Sequence, residues 1–599
     1  MSSTVASPIA AAAGGSFLLE NRTPDEIFTP EDLSEEQRQI AATAARFARE
    51  EILPRVDAIE RKDPGAMVEL LRKAAELGFT AVDIPEEYGG MGLDKVSSTL
   101  ITDHLSVLAS FSTAFGAHIG IGTLPLVWYG TEAQKQRCLP KLAACEWIGA
   151  YALSEASSGS DAMNIRTRAS LSPDGAHYIL NGEKQWITNG GTADLYTVFA
   201  KIDGEKFSAF LIERGTPGLT VGAEEHKLGI RGSSTCPLVL QDCEIPKENL
   251  LGEAGKGHHI AFNVLNVGRL KLGVACIGGA RHALASMIRY AKERHAFGKA
   301  IAEFGLIQRK ISSSATQLYA AESMAYRTVG LIDARLANLA AETPGQRMDV
   351  ARSIEEYAVE CSILKVYGSE MLSLVSDELI ATMGGYGYTE EYPAERTYRD
   401  ARINRIFEGT NEINRLIITG WMMKRALSGK LPLLAAIKLV MDEVTEPPSL
   451  EGAASSGEPL AREAEILSKT RKITLFAAGV ASQRYMTGLE EQQEIVADLA
   501  DMISQVYALE SALLRARKLA SAQRNSAEPA AAMTRLLADE TMALAEQASR
   551  RVLAACGEGD ALMTQLAILR RLARFTPADA VALSRTVAKH AFALERYPV

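Results

Sequence analysis

The stretch "AHYILNGEKQWITNGGTADLYTVFAKI", residues 176–202, is where the texture of the chain changes. Short β-rich runs are broken there by Asn-Gly and Gly-Gly, dipeptides that supply the positive-φ turns of hairpins. "FSAFLIERGTPGLTV", residues 207–221, repeats the pattern around a Pro-Gly turn. Together they predict a small antiparallel β domain over residues 151–257. Upstream the pattern is helical. "SEEQRQIAATAARFAREEILPRV" (34–56) opens with Ser-x-x-Gln, a capping-box form, and keeps apolar residues at helical spacing, so residues 34–150 read as a helical domain. Helical spacing returns over 258–440. "EVTEPPSLEGAASSGEPLARE" (443–463), rich in Pro, Ser, Gly and Glu, places a linker at 441–460, and 461–599 form a further helical block. The order α, β, α, linker, α predicts an α+β fold, mostly α, and excludes a doubly wound sheet.

At 599 residues the chain is too long for a single core. Its 47 % hydrophobic and 23 % charged residues are ordinary for a soluble globular protein. A net charge of −10 argues against a general nucleic-acid binder. The seven cysteines include no C-x-x-C pair, so neither a disulfide framework nor a metal site is expected, and a reducing compartment fits best. Residues 1–33 begin with a small, apolar stretch that has no Lys or Arg before Arg22, unlike a secretory signal or a transit peptide. They read as a disordered or loosely docked arm, and the expected location is cytoplasmic. No uninterrupted apolar run approaches the ~18 residues of a membrane span. "GEAGKGHH" (252–259) has Gly-Lys without a following Ser or Thr, and no G-x-G-x-x-G joins a strand to a helix. A nucleotide cofactor must be held by some other device.

"RIFEGTNEINR" (405–415) carries the most suggestive acid. Ile413, Leu416, Ile417 and Trp421 form one helical face, with Thr410 or Asn411 as N-cap. Glu408 then stands just outside the first turn, where the helix dipole would have favoured it, beside Gly409. Taken alone it is a solvated glutamate near a helix start.

Linked motifs change that reading. "YALSEASSGSDAMNIRTRA" (151–169), "NGEKQWITNGGTADLYTVFA" (181–200), "ERHAFGK" (293–299) with "FGLIQ" (304–308), and "MGGYGYTEEYPAERTYRDARI" (383–403) running into "RIFEGTNEINR" resemble the acyl-CoA dehydrogenase family of flavoenzymes. The similarity spans roughly residues 35–430. The extra helical block, and "GAHIGIG" (116–122), resemble the very-long-chain branch, whose members are typically homodimers.

The resemblance implies FAD-dependent α,β-dehydrogenation of a fatty acyl-CoA, with electrons passed to electron-transfer flavoprotein. Glu408 falls at the family's base position, and burial against flavin and acyl chain would raise its pKa and strengthen it as a base. The family's oxyanion donors are the backbone N–H of the base and a flavin ribityl hydroxyl. Tyr151, Leu153 and Ser154 map along the flavin. Trp186, Ile187 and Thr188 resemble the flavin-flanking tripeptide, although Trp186 suits a β-domain core equally. Arg294 and Phe297 resemble residues that reach a flavin held mainly by the other subunit, Arg suiting pyrophosphate. Gln308 and Gly384-Gly385 map to further cofactor contacts, and Thr410 and Glu412 lie near the flavin unless they are only a cap and a first-turn dipole partner.

For the substrate, Ser160 maps to a CoA contact, Asn266 and Arg269 to CoA and the site wall, Phe407 and Gly409 to the acyl-CoA, and Gly120 and Gly122 to a wide tunnel floor suited to long chains. The chain departs from the pattern at Ala381, where relatives often have Gln, a loss of about one hydrogen bond, roughly 1 kcal/mol. "KLPLLAAIKLV" (430–440) could rest on a membrane surface or be buried against protein. Two other readings stay open: an acyl-CoA oxidase using oxygen, and a non-enzymatic assembly protein of the same fold.

Overall fold

The computed structural model describes residues 12–342, 350–445 and 457–599. An N-terminal helical layer contains α1 (Glu35–Phe47), α2 (Lys95–Leu105), α3 (Ala109–Gly116) and α4 (Glu132–Ala143). The capping box read from sequence is present: Gln37 N donates to Ser34 Oγ at 3.1 Å and Ser34 N to Gln37 Oε1 at 3.0 Å.

The sheet follows: β1 (Gly149–Ala152), β2 (Arg168–Leu171), β3 (His177–Thr188), β4 (Leu195–Ile202), β5 (Lys206–Glu213), β6 (Leu219–Val221), β7 (Thr235–Pro246) and β8 (Leu250–Leu251). Its order is β6-β7-β3-β2-β4-β5-β8, with β1 also beside β4. The sheet is mainly antiparallel, as expected, with two parallel pairings added. β1 and β2 both run parallel to β4, because each reaches it by a crossover through other strands and not by a hairpin. The side-chain alternation explains why β4 and β5 read as near-continuous apolar runs. Tyr196, Val198, Phe210 and Ile212 join a core with Phe47, Phe111 and Phe115 of the helical layer. Leu195, Phe199, Phe207 and Leu211 point to the opposite face, against Leu139, Leu142 and Ile260. Both faces are buried, so polar positions are few.

The bundle consists mainly of α5 (Gly257–Glu293), α6 (Gly305–Glu342), α7 (Ala358–Met383) and α8 (Asn411–Leu427). A two-stranded hairpin (His295–Ala296 with Lys299–Ala300) joins α5 to α6. α5 is long and apolar enough to cross a membrane, but 78 % of its most apolar window is buried inside the protein. α9 (Leu433–Thr445) follows, so the first residues of the expected linker are helical, while 446–456 lie outside the described residues. In the apolar run at 430–440, Leu431, Leu433 and Val440 are buried while Leu434 and Leu439 face outward. The extension, led by α10 (Ala461–Tyr485), α11 (Gln493–Ser521) and α12 (Ala527–Cys556), shares one continuous core with α5–α8. It therefore packs on its own bundle.

From residue 12 onward the N-terminal arm is neither disordered nor loosely docked; residues 1–11 lie outside the described residues. Phe17 is buried against Tyr507 with ring centroids 4.6 Å apart. Arg471 donates to the carbonyls of Phe17 and Glu20, both at 3.0 Å, and Gly15 N donates to Glu360 Oε1 at 2.7 Å. Most of these anchors are backbone groups, which composition does not reveal.

One imidazole joins the helical layer to the sheet. A π-helical turn, Ala117–Gly122, follows α3. In it, fully buried His118 accepts from Gly149 N at Nδ1, 3.0 Å, and donates from Nε2 to Leu142 O, 3.1 Å. Both bonds require the neutral ring, and burial holds its pKa down at about 4. Since the unfolded chain binds this proton from about pH 6.5 downward, stability is fully present above that pH and falls toward pH 4, by about 3 kcal/mol at most. His118→Gln keeps one acceptor and one donor and does not titrate. Its thermal midpoint should therefore fall less than that of the wild type between pH 6.5 and 4, as followed by circular dichroism.

Candidate functional site

Where the three layers meet, a cavity of about 860 Å³ opens, counted to its mouth. One wall is a stripe of α5: Gly268, Leu272, Ala275, Cys276 and Gly279. The opposite wall is Ala109, Ser112, Thr113, Gly116, Ala117 and Gly120, from α3 and the π-turn. Small residues at helical spacing on both sides leave a trough between two helices that would otherwise touch. Thr102, Ser106 and Leu372 close its far end, and Thr188, Phe407 and Glu408 stand at the near end.

Glu408 belongs to the loop before α8. Its φ of 59° and the 80° of Gly409 turn the chain sharply into Thr410, whose hydroxyl caps α8 by accepting Ile413 N at 3.2 Å. A left-handed conformation is unfavourable for glutamate and persists only when its surroundings impose it. Here Asn414 Nδ2 donates to the carbonyls of Gly409 (2.8 Å) and Thr410 (3.0 Å), and Arg269 Nε reaches the Glu408 carbonyl at 3.4 Å. The side chain points into the cavity, where Oε2 is shielded from solvent and has no hydrogen-bond partner among the described residues. Desolvation raises its pKa to about 7, against the downward pull of Arg269 and Lys365.

Sequence reasoning missed what makes room for this carboxylate. A Cβ placed on Gly268 would lie 2.5 Å from Glu408 Oε2. The only cue was a glycine inside a strongly apolar helix, in "LNVGRL" (265–270). Arg269 is buried beside the Glu408 loop, is not among the cavity-lining residues, and donates to Asn266 Oδ1 at 2.9 Å. Asn266 itself holds Arg269 and is not among the cavity-lining residues. Of the two expected floor glycines, Gly120 lines the cavity with open space where a Cβ would be. Gly122 does not: a Cβ there would meet the Gly149 backbone at 2.7 Å, so this glycine serves the approach of β1 to the π-turn.

Trp186 occupies an irregularity in the pairing of β3 with β7 between Lys184 and Ile187. Its φ is 59° and 56 % of it is exposed, so it is not a core residue. Ile187 points into the core and Thr188 into the cavity. The loop after β1 is pinned from below: buried Lys184 donates to Glu155 Oε1 (2.7 Å) and Leu153 O (3.2 Å), and Ser154 O accepts Gln185 N at 2.9 Å. Tyr151 is buried with its hydroxyl unpartnered among the described residues. Ser160 lies exposed on the same loop.

A second cleft, of about 810 Å³, is lined by Tyr290, Arg294, Ile301, Thr382, Gly384, Gly385 and Tyr386. The buried Thr382 hydroxyl has no partner among the described residues, Gly384 has a φ of 62°, and neither glycine has anything within 4 Å of a Cβ position. Arg294 lies over the Tyr386 ring. Phe297, at the hairpin tip, is 96 % exposed. Gln308 is bonded to Ala302 O at 3.1 Å and stands outside this cleft's lining. Glu412 is an exposed first-turn residue whose pKa is lowered, chiefly by its own backbone N–H. An exposed indole, unpartnered buried hydroxyls, a bare glycine cradle and an arginine suit a flat ring system joined to a diphosphate, and FAD fits this donor set. Thr382 offers a hydroxyl next to Ala381, where the sequence left a contact missing.

The comparisons agree with the geometry. Family models described as acyl-CoA dehydrogenase N-terminal, middle and C-terminal domains match residues 34–146, 150–243 and 255–423, and a second C-terminal-domain model matches 469–571. A "Probable acyl-CoA dehydrogenase" of Bacillus subtilis (strain 168) is 47 % identical over 589 residues, covering 98 % of both chains. The human "Very long-chain specific acyl-CoA dehydrogenase, mitochondrial" is 35 % identical over 533 residues, covering 83 % of this chain and 77 % of that one. A crystal structure of an acyl-CoA dehydrogenase complexed with FAD from Bacillus anthracis superposes with a TM-score of 0.95 at 46 % identity, covering 98 % of this chain and 100 % of that one.

Gly268→Ala is expected to fold, since alanine favours helix and the clashing atoms are the flexible end of a side chain. Displacing the Glu408 carboxylate should still cut turnover at least ten-fold with FAD content unchanged, as measured by steady-state assay and flavin absorbance.

Proposed function

The chain belongs to the acyl-CoA dehydrogenase family, is an enzyme of that activity and takes FAD as cofactor; on that premise we propose that Glu408 is the base that removes the α-proton of a long-chain acyl-CoA. The observation that carries the assignment is the Glu408 carboxylate itself: half-buried, with Oε2 shielded from solvent and unpartnered among the described residues, and with a pKa raised to about 7 at the mouth of an apolar trough. An α-proton beside a thioester is a weak acid, so a carboxylate with its usual pKa is a poor match. Raising the pKa to about 7 strengthens the base and still leaves about half of it ionised in neutral solution.

Bound FAD supplies the acceptor for the hydride that leaves the β-carbon. Tyr151, Leu153, Ser154, Trp186 and Thr188 would hold its ring end, with Ile187 contributing backbone only. Thr382, Gly384 and Gly385 would make further cofactor contacts, and Arg294 and Phe297 would reach a flavin held mainly by a second copy of the chain in a homodimer. The Glu408 backbone N–H donates to no group among the described residues, which leaves it free for the thioester oxygen as negative charge develops there. Gly409, carrying no side chain, keeps that approach open, and Phe407 walls the thioester end.

The acyl chain would lie between α5 and α3. From Gly268, opposite the base, to Gly279 at the closed end, α5 rises about 16 Å, room for roughly a dozen methylenes. That length, with Gly120 bare on the facing wall, supports a long-chain substrate. Electron-transfer flavoprotein is the electron acceptor in this reading.

Glu408→Gln should keep bound FAD and bind acyl-CoA yet show no flavin bleaching when mixed anaerobically with palmitoyl-CoA; bleaching at the wild-type rate would refute the assignment. In the wild type the bleaching rate should climb as pH rises through about 7, the range in which Glu408 loses its proton. Across acyl-CoAs of increasing length, bleaching should favour long over four-carbon chains, and a four-carbon optimum would refute the long-chain reading.

A further inference from the structure

Beneath the loop that carries Glu408, a lysine is buried without a carboxylate partner. Lys365 of α7 is 0 % exposed, and its ammonium donates at 2.7 Å to Oδ1 of Asn411, the first residue of α8. The rest of the Asn411 amide is clamped from the same helix. Ser369 Oγ touches Oδ1 at 3.2 Å and accepts from Nδ2 at 3.0 Å, and Glu370 Oε1 also accepts from Nδ2 at 3.0 Å. A lysine can only donate and a carboxylate only accept, so the amide has one orientation. It fixes where the strained Glu408–Thr410 turn enters α8.

The groups facing Lys365 are the Cys276 thiol and Arg269 from α5, Glu408 from the loop, and Glu412 from the first turn of α8. Glu412 is exposed, and no carboxylate among the described residues lies within ion-pair distance of the ammonium. Glu370, its neighbour on α7, is turned to Arg415 and Arg405. Glu408 in turn faces Arg269 and Lys365, with the Tyr151 hydroxyl beside it. Two buried cations therefore act on one half-buried carboxylate, Arg269 from beside its backbone carbonyl and Lys365 from beneath Asn411. Burying an ammonium unpaired is unfavourable. Here its field falls on the acid whose ionisation the reaction needs, and on the oxygen where negative charge grows as the α-proton leaves.

We propose that Lys365 is a positioning residue for the dehydrogenation: through Asn411 it fixes the turn that aims Glu408, and its unpaired charge favours the ionised form of that carboxylate. This rests on the assignment of the base to Glu408. Two variants separate an electrostatic role from a structural one. Lys365→Met removes the charge at similar length. Asn411→Asp keeps the contact with Lys365 and neutralises its charge with a carboxylate, while giving up the Nδ2 bonds to Ser369 and Glu370.

The readout is anaerobic flavin bleaching of each holoenzyme by palmitoyl-CoA across the pH range in which the wild-type rate rises. In both variants the acid limb should move up by about one pH unit, since removing a nearby cation raises a carboxylate pKa. At neutral pH, Lys365→Met should bleach at least about ten-fold more slowly, and Asn411→Asp should recover more of the wild-type rate at high pH. A wild-type acid limb in both variants would overturn the proposal, and so would failure of both to give folded, yellow protein, which would make the role structural. Glu408→Gln in parallel distinguishes the two layers. If it bleaches normally, the base assignment itself fails; if it is inert while both variants keep the wild-type limb, only the role of Lys365 fails.

Discussion

A carboxylate taken out of water next to two buried cations is the constraint around which the site is built. For the base proposed here, desolvation alone would leave Glu408 protonated, while full exposure would leave it weak. Arg269 and Lys365 offset the desolvation and bring the pKa to about 7. The same requirement accounts for the backbone. Glu408 can reach between the trough and the sheet only from a left-handed turn, and Asn414, Asn411 and Arg269 hold that turn against its strain.

The extension and the N-terminal strap brace this arrangement from behind. Arg515 of α11, 2 % exposed, binds Glu322 of α6 (2.6 Å) and Glu31 of the strap (2.8 Å). Arg281 of α5 binds Glu322 (2.6 Å) and Asp103 of α2 (2.6 Å), and the Tyr597 hydroxyl, near the end of the chain, donates to Glu322 at 3.1 Å. Such a seam adds little net stability, because each charge loses its hydration, but leaving any member unpaired is costly. It therefore selects one register for six segments at once. Thr102 and Ser106, on either side of Asp103, close the trough, so the seam lies directly behind the wall where the chain terminus would stop.

Several features were legible in the sequence because they follow from local pattern. The α+β order, the Ser34 box and the Thr410 cap depend on neighbours within four residues. Glu408 was legible only through linked motifs; its position alone suggested a solvated surface group. What stayed hidden depends on contacts between distant segments. The parallel placement of β1 and β2 beside β4, the docking of the strap through backbone groups, and the burial of Lys365 under Asn411 leave no periodic mark. Gly120 and Gly122 illustrate the limit: two residues apart in one π-turn, the first faces the trough and the second faces β1.

Glycine is the residue whose meaning most needs the fold. Within a helix it costs roughly 0.5–1 kcal/mol relative to alanine, through the backbone freedom it loses. Gly268 lies inside a 37-residue helix, with no turn or cap to explain it. The cost is offset by what the missing methyl allows: a carboxylate stands in the space where a Cβ would be, opposite the start of the trough. A larger residue there would push Glu408 toward solvent, restoring its hydration, lowering its pKa and weakening it as a base. The helix thus gives up local stability at one position so that the acid can remain both buried and aimed.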